Sequence, residues 1–427
     1  MGELFGHSRL YDVEMKRVEL LDRELPKVLL QCGDLLFARR SLTAEGAGKC
    51  SIVKEVLEPT TFESSIIRAR PNDQLACSDF LYYLFSSPYG KYLLGTIRRQ
   101  VAVAGITGTD LKQLKLKVPP LPKQKAIAHI LGTLDDKIEL NRKMNGTLEA
   151  MAQALFKSWF VDFDPVIDNA LLAGKPLPED LEDKAAARQK QLETTYGSLA
   201  AAASHFASKP SGFHHLFPDS FELTEELGWI PVGWIISSIG KEYRVVMGQS
   251  PKGETYNQDG EGMLFYQGRA EFGWRYPTPR LYTTDPKRIA EAGDVLMSVR
   301  APVGDFNLAL DRCCVGRGLC GIRHNSGSTT YSYYQMMDVK THLEKFNGEG
   351  TVFGSINQKD LKALPCLAPS HSAIQGFIDK VECLDSKIKL GCLENIALTK
   401  LRDNLLPKLL SGEIRVPEAE AVVEDVG

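Results

Sequence analysis

Apolar and polar positions along this chain repeat twice at a period near seven. From Ile127, the positions Leu131, Leu134, Ile138, Asn141, Asn145, Leu148, Ala152, Leu155 and Trp159 advance by alternate steps of four and three. Such spacing puts a narrow stripe on a helix and is the seam of a coiled coil. A second stretch repeats it at Phe377, Val381, Leu384, Ile388, Gly391, Asn395, Leu398, Arg402, Leu405 and Leu409. Pro119, Pro120 and Pro122 mark where the first helix can begin, Asp164-Pro165 lies just past its end, and Ser411-Gly412 closes the second. Asn141 and Asn145 interrupt the first stripe, and two readings of them stand. They are buried amides that fix register, or polar groups facing solvent where the helices splay. Each stripe must be buried on something, and the most economical partner is the other copy, packed antiparallel. A helix of about 36 residues spans roughly 54 Å, enough for a rigid spacer with the two preceding blocks at its ends.

The two helices belong to a longer repeat. Asp110-Leu111-Lys112 recurs as Asp360-Leu361-Lys362, Pro119 as Pro369, Leu134-Asp135 as Leu384-Asp385 and Lys137-Ile138 as Lys387-Ile388, all 250 residues apart. Gly33-Asp34 matches Gly293-Asp294 at a spacing of 260, so a length change intervenes. The preceding blocks read as α+β, with strand-like runs at Leu35-Leu36-Phe37-Ala38 and Asp294–Val299 between Gly-rich turns. The helical run Phe80–Phe85 has its counterpart near Tyr331–Tyr334. The expected organisation is α+β: two β-rich blocks (1–118 and 229–368) joined by two long antiparallel coiled-coil helices (119–163 and 369–413), with a pseudo-two-fold internal repeat. An acidic linker (164–228) and a tail (414–427) complete it. Within the linker, Asp183–Ala203 is Ala-rich and reads as helical, and His214-His215 reads as a solvated loop.

Charge supports this division. Residues 1–120 hold 17 Lys+Arg against 14 Asp+Glu, and residues 230–369 hold 16 against 14, whereas residues 161–229 hold 5 against 12. Two mildly basic blocks around an acidic one suit two polyanion-facing domains and a solvated connector. Nine cysteines, an odd number without a CxxC pair, argue against a disulfide framework and against zinc. Cys313, Cys314, Cys320 and His324 could form a metal site, but buried thiols of a β-rich core are the default. The N-terminus carries charges where a signal peptide needs an apolar stretch, and no apolar run reaches membrane length, so the chain is expected to be cytoplasmic.

No signature of catalysis stands out, so the chain is expected not to be an enzyme. There is no Gly-Lys-Ser/Thr triplet, no Gly-x-Ser-x-Gly elbow and no Asn/Asp-Pro-Pro-aromatic tetrapeptide. No Gly-x-Gly-x-x-Gly is expected to follow a strand, so a nucleotide or adenosylmethionine pocket has no signature. Gly348-Glu349-Gly350 followed by Gly354 reads as an inter-domain turn. What remains is DNA-reading chemistry: cations for phosphates and planar polar groups for base edges. The first block offers Arg39, Arg40, Arg98, Arg99 and Gln100. The second offers Gln249, Ser250, Lys252, Gln267, Arg269 and Arg275, with Arg280 and Arg300 nearby. Gly and Pro punctuation puts residues 249–252 and 266–269 on loops.

The arrangement resembles the specificity (S) subunit of Type I restriction–modification systems. The likeness covers nearly the whole chain. It is most specific at Val118–Ile127, Leu134–Asn141 and Leu148–Phe163, at the opening Gly228-Trp229-Ile230-Pro231-Val232-Gly233-Trp234, and at Gly354-Ser355-Ile356-Asn357. The resemblance implies that the β-rich blocks are target-recognition domains, each reading half of a split duplex site. It implies partners as well: two methyltransferase (modification) subunits and restriction translocase–nuclease subunits, with adenosylmethionine, ATP and Mg on those partners and no cofactor in this chain. One departure is that 65 residues separate Gly228 from Gly293, whereas 32 precede Gly33, and no Gly-Trp-x-Pro-x-Gly-Trp opens the first half. The first recognition domain is therefore expected to be shortened at its N-terminal side. The rival readings are a fused methyltransferase, a coiled-coil scaffold joining protein-binding modules, and a stand-alone DNA-binding protein.

Overall fold

The computed structural model describes residues 2–11, 13, 15–19, 28–43, 46–99, 104–208, 212–347 and 354–424. Gln100 and the Gly348–Gly350 turn lie outside them. The helices used below are, in chain order, α1 (Ser78–Ser86), α2 (Leu121–Phe160), α3 (Asp164–Ala173), α4 (Glu182–Tyr196), α5 (Leu199–Ser208), α6 (Thr329–Leu343) and α7 (His371–Ser411). The two long ones run 40 and 41 residues, longer than the stripes alone required. The Pro122 ring is accommodated in the first turn of α2, where its missing N–H removes no helical bond. Gly412, at φ 81°, follows the end of α7. The chain mixes helices and strands in two compact units, residues 1–143 with 393–427, and residues 144–392.

In the first unit, strands β1 (Arg9–Leu10), β2 (Leu35–Ala38), β3 (Cys50–Val53) and β4 (Ile66–Ala69) form one sheet in the order β1-β3-β2-β4. All four side chains of β2 are buried, and α1 packs Phe80 and Tyr83 into the core that holds Leu35 and Phe37. Ile127, Leu131, Leu134 and Ile138 of α2 join that core with Leu398, Leu405 and Leu409 of α7. The contacts between these helix segments rise in number along one and fall along the other. Asn141 donates to Asn395 Oδ1 at 3.1 Å, Lys137 lies 3.4 Å from Glu394, and Arg402 donates to Asp135 at 2.6 Å. The segments run antiparallel. Asn141 is buried, which decides between the two readings of that position in favour of the internal amide. The expected tail is partly a helix, Val416–Glu424, whose Ala419 is buried in this core.

The second unit is larger. Its strands are β5 (Tyr243–Met247), β6 (Tyr256–Asn257), β7 (Met263–Tyr266), β8 (Tyr282–Thr283), β9 (Ile289–Ala290), β10 (Val295–Ser298), β11 (Phe306–Leu308), β12 (Cys313–Val315) and β13 (Leu319–His324). One sheet has the order β5-β13-β10-β11, and a second the order β6-β8-β7-β12-β9. Cys313, Cys314 and Cys320 are buried in these strands, and burial pushes the Cys313 thiol up to about 12. Residues 144–160 of α2 pack with 371–392 of α7 through Phe156, Phe160 and Phe377, whose rings lie 5.4–5.5 Å apart across the pair. Leu148, Leu155 and Leu384 are half-buried, and Val381 and Ile388 are buried. Asn145 is buried too, and its amide donates to Cys392 Sγ at 3.5 Å.

The register of the two sheets exposes the repeat. In the first, Leu35 pairs with Ile52 and Ala69; in the second, Val295 pairs with Leu308 and Ile322. The three strands β3-β2-β4 therefore correspond to β11-β10-β13. Gly33 and Gly293 enter the central strand at φ 87° and 83°, a conformation that side chains strongly disfavour. The aspartate that follows is fully buried in both copies and accepts a backbone N–H from three residues upstream, from Gln31 or Glu291, at 2.8 Å. Arg70 closes on Asp34 through Nε and Nη2, and Arg323 and Arg244 close on Asp294.

Among the described residues the first unit has no counterpart of the five-stranded sheet. Its fourth strand, β1, lies parallel beside β3, whereas β5 lies antiparallel beside β13 at the other side of the conserved three. In the second unit Pro365–Ala368 pairs with Ile235–Ser238, and residues 115–118, at the corresponding place, form no strand.

The acidic stretch 164–228 is not the solvated connector that its charge suggested. It folds into α3, α4 and α5, buries Val166, Ile167 and Ala170, and pairs buried Asp168 with Arg188 through both carboxylate oxygens. His214 is held there, stacked 3.9 Å from the Phe206 ring and 4.3 Å from that of Phe213. The net charge of this stretch misled because some of its acids are consumed internally.

Candidate nucleic-acid interface

In the second unit three turns meet at one rim. Gln249 N–H donates to Val315 O at 2.9 Å, Gly316 N–H to Tyr266 O at 2.8 Å, and Gly318 N–H to Gln267 O at 3.2 Å. Arg317 N–H donates to the Ser250 hydroxyl at 3.3 Å. The turns can cross this closely only because glycines sit at the crossings. A Cβ on Gly248 would lie 2.0 Å from Gly316 O, and one on Gly318 would lie 2.7 Å from Gln267 O. Gln249, Lys252, Gln267, Arg269 and Arg317 are thereby presented to solvent together. An amide group can read a base edge in two directions and a guanidinium can fork onto a phosphate or a guanine, so the rim holds the groups that duplex reading needs.

Two cations of this rim have carboxylate neighbours. Arg269 Nε pairs with Asp305, which also lies 3.4 Å from Lys340, and Lys252 lies 3.8 Å from Glu254. Arg317 was not singled out from the sequence, although a lone arginine between Gly316 and Gly318 is a signal for an exposed turn. The run Gly316-Arg317-Gly318-Leu319-Cys320-Gly321 also has the Gly-x-Gly-x-x-Gly spacing and follows β12, which corrects the expectation that no such run stands behind a strand. It leads into β13 and not into a helix, so no helix N-terminus is aimed at a phosphate there.

Arg275 does not belong to the rim. It is 2% exposed, its guanidinium is engaged by Glu149 and Asp385, and it lies 4.2 Å over the Tyr333 ring. Its assignment as a DNA contact is withdrawn, because a guanidinium sealed between two carboxylates and a ring has no face left for a phosphate.

In the first unit the candidate arginines gather around a short ladder. Arg40 pairs with Gly105, Ile106 N–H donates to Arg39 O at 3.0 Å, and Arg99 forms a bridge with Gly105. Arg39 and Arg40 are exposed. Arg98 is half-buried and donates to Ala47 O at 3.2 Å. Arg99 is claimed by Asp110, whose carboxyl is held below its ordinary value first by the Thr107 hydroxyl and then by Arg99 itself.

The same ladder recurs in the second unit, where Arg300 bridges Ser355 and Ile356 N–H donates to Val299 O at 3.0 Å. Thr107 and Asn357 then cap the short helices Gly108–Gln113 and Gln358–Ala363 by accepting from Asp110 and Asp360 N–H. Arg40 and Arg300 are thus equivalent exposed arginines, one in each unit.

With the geometry in place, comparison with known proteins adds three findings. A family model described as "Type I restriction modification DNA specificity domain" matches residues 16–150. A protein of Methanocaldococcus jannaschii, provisionally named type I restriction enzyme MjaX specificity subunit, is 30% identical over 420 residues, covering 97% of this chain and 86% of its own. The type I restriction enzyme HindI specificity subunit of Haemophilus influenzae is 25% identical over 443 residues, covering 97% and 93%. Among solved structures, the type-I restriction-modification system S subunit from M. genitalium is similar at 15% identity and a TM-score of 0.50, with 92% of each chain covered. At that identity it speaks to the fold alone. Among the described residues no helix is long and apolar enough to cross a membrane, and no group of three or more His, Cys, Asp or Glu is placed to hold a metal ion.

Proposed function

The chain belongs to the type I restriction enzyme specificity subunits, and from that premise we propose that it reads a split duplex target through two modules, one in each unit. The long helices α2 and α7 act as a coiled-coil spacer between those modules and as the platform on which two modification subunits dock. Restriction translocase–nuclease subunits join that assembly. Methyl transfer, base flipping and cleavage, with the adenosylmethionine, ATP and Mg they require, belong to those partners, and this chain contributes aim.

One observation carries the reading. The two units repeat the Gly-Asp turn, the central strand and the arginine-bearing ladder of Arg40 and Arg300, while the surfaces built around those landmarks differ. A conserved frame with divergent rims is what two modules need if each reads different bases. In the second module, the rim of Gln249, Gln267, Arg269 and Arg317 supplies the base-edge and phosphate contacts. In the first, Arg39 and Arg40 are the exposed candidates.

The test is an exchange of residues 229–368 for the corresponding segment of another member, in a host that supplies the modification subunits. Methylome sequencing is expected to show one half of the target changed and the other retained. A change in both halves would remove the two-module reading. Equal binding to all duplexes at low salt would remove sequence recognition itself.

A further inference from the structure

Arg275 is buried where the β-rich part of the second unit meets both long helices. Its Nη1 donates to Glu149 Oε1 at 2.7 Å and its Nη2 to Asp385 Oδ1 at 2.6 Å, so one guanidinium is held by a carboxylate from each long helix. Tyr334 Oη donates to the same Asp385 oxygen at 2.8 Å, and Tyr333 Oη to Glu149 at 3.2 Å. Among the described residues, Arg275 Nε and Asp385 Oδ2 are nevertheless buried without a hydrogen-bond partner. Buried ion clusters with unsatisfied atoms are commonly no more stable than an apolar replacement of the same volume. What they do supply is geometry: a planar fork accepts only one orientation of its two acceptors.

The backbone around Arg275 says what that geometry fixes. Arg275 lies six residues beyond Arg269, in a segment with little freedom of its own. Phe272 N–H donates to Arg269 O, Thr278 N–H to Glu271 O, and Asn307 exchanges two bonds with Gly273 through its side chain. Leu308 N–H donates to Arg275 O at 2.8 Å. The segment is stitched to β11 along its backbone and to α2 and α7 through the Arg275 guanidinium, beside which Tyr276 packs into the same core. The first unit has the same acid and tyrosine, since Tyr83 Oη donates to Asp135 at 2.7 Å, but there the cation is Arg402 of α7 itself. Arg9 of β1 reaches the neighbouring Asp136.

We propose that Arg275 is a positioning residue for DNA recognition, fixing the Gln267–Arg269 rim in register with the two long helices. This rests on the two-module reading above. If the long helices carry the modification subunits, a rim held in register by Arg275 sets where the target base falls relative to the methylating partner. Loosening it leaves the rim's own contacts intact and blurs the distance between half-sites.

The full chain assembled with modification subunits tests this with the triple variant Arg275→Met/Glu149→Gln/Asp385→Asn, which removes all three charges and keeps acceptors for both tyrosines. Methylation kcat/KM is measured on duplexes whose half-site separation is stepped by one base pair, beside affinity for duplexes carrying a single half-site. The variant is expected to hold single half-sites within twofold of wild type. Its preference for the native separation is expected to fall about tenfold, less than the roughly hundredfold loss that a full 1 Å misplacement of a reacting group can produce. A folded variant with the full preference overturns the proposal. If the triple variant does not fold, Arg275→Lys decides, because it keeps the charge and loses the fork: unchanged separation preference overturns the proposal, and partial loss supports it. A wild-type assembly without any sequence preference indicts the two-module reading instead.

Discussion

In the first unit Asp34 is held by one arginine; in the second Asp294 is held by two. Both aspartates begin the central strand of a sheet after a glycine with positive φ, and both accept a backbone N–H three residues upstream. The second arginine, Arg244, comes from β5, the strand laid beside β13 in the second unit. The comparison teaches that the repeat is built outward from a small fixed frame. What differs between the units is the protein added to it: β1 on one flank in the first, and β5 with a second sheet in the second.

Removing each aspartate is the strongest way to break that comparison. Asp294→Ala strands two arginines, of which Arg323 is less open to water than Arg70, and is expected to cost about 3 kcal/mol; Asp34→Ala, which strands Arg70 alone, is expected to cost about 2 kcal/mol. All four tryptophans, at 159, 229, 234 and 274, lie in the second unit. Urea unfolding followed by tryptophan fluorescence should therefore move for Asp294→Ala and hardly for Asp34→Ala, while circular dichroism registers both. Equal fluorescence shifts would show that the frames are not local to their units.

The crossing glycines come next. Gly248→Ala drives a Cβ to 2.0 Å from a backbone oxygen, whereas Gly105→Ala in the first unit meets Arg39 O at 3.0 Å. The former is expected to cost about 1–3 kcal/mol and the latter less than 1 kcal/mol. If the rim is the reading surface, Gly248→Ala also weakens discrimination between target and random duplex more than its stability loss explains. Mobility shifts at fixed salt check this.

How much of this was legible depends on how far apart the cooperating residues lie. The long helices announced themselves through ten evenly spaced positions each, and the Gly-Asp turns through a dipeptide that recurs where a strand begins. The five-stranded sheet did not, because Tyr256–Asn257, Tyr282–Thr283 and Ile289–Ala290 are two residues long and cannot show a period of two. Arg275 looked like any loop arginine, since Glu149 and Asp385 lie 126 and 110 residues away in sequence. The acidic stretch hid its core for the same reason: Asp168 finds Arg188 only after α3 and α4 fold. Arg317 was legible between its two glycines.

The interrupted seam gives a finer contrast. Asn141 donates to Glu394 and Asn395 in the first unit, whereas the Oδ1 of Asn145 in the second is buried without a partner among the described residues. Asn141→Leu strips donors from two polar groups and is expected to cost about 1–2 kcal/mol. Asn145→Leu removes an amide whose oxygen is unsatisfied and whose N–H meets a thiol, a weak acceptor, and is expected to be neutral within about 0.5 kcal/mol, or stabilising. Thermal melts of the two variants give the comparison directly, and a larger loss for Asn145→Leu would contradict it.

The smallest expected effect separates the units by pH. The register that equates Ala69 with Ile322 also equates Arg70 with Arg323, and hence Pro71 with His324. Only the second unit has a titrating group at that place. His324 packs against the rings of Tyr243 and Tyr331 at 5.0 and 4.8 Å, and its Nδ1 accepts Ser326 N–H at 3.1 Å, a bond that only an unprotonated Nδ1 can make. Burial lowers its pKa from the ordinary 6.5, and the charge of Glu242 opposes this without reversing it. The unfolded chain then binds the proton more readily than the folded one. Stability is full above pH 6.5 and declines as pH falls through the folded value. The informative quantity is the difference between wild type and His324→Gln, in which the amide oxygen can accept the same N–H. Tryptophan-monitored urea midpoints at pH 7.5, 6.5 and 5.5, chosen to span roughly one unit on either side of an ordinary histidine, should fall more steeply for wild type than for the variant. Parallel slopes would mean that His324 takes up its proton without disturbing β13.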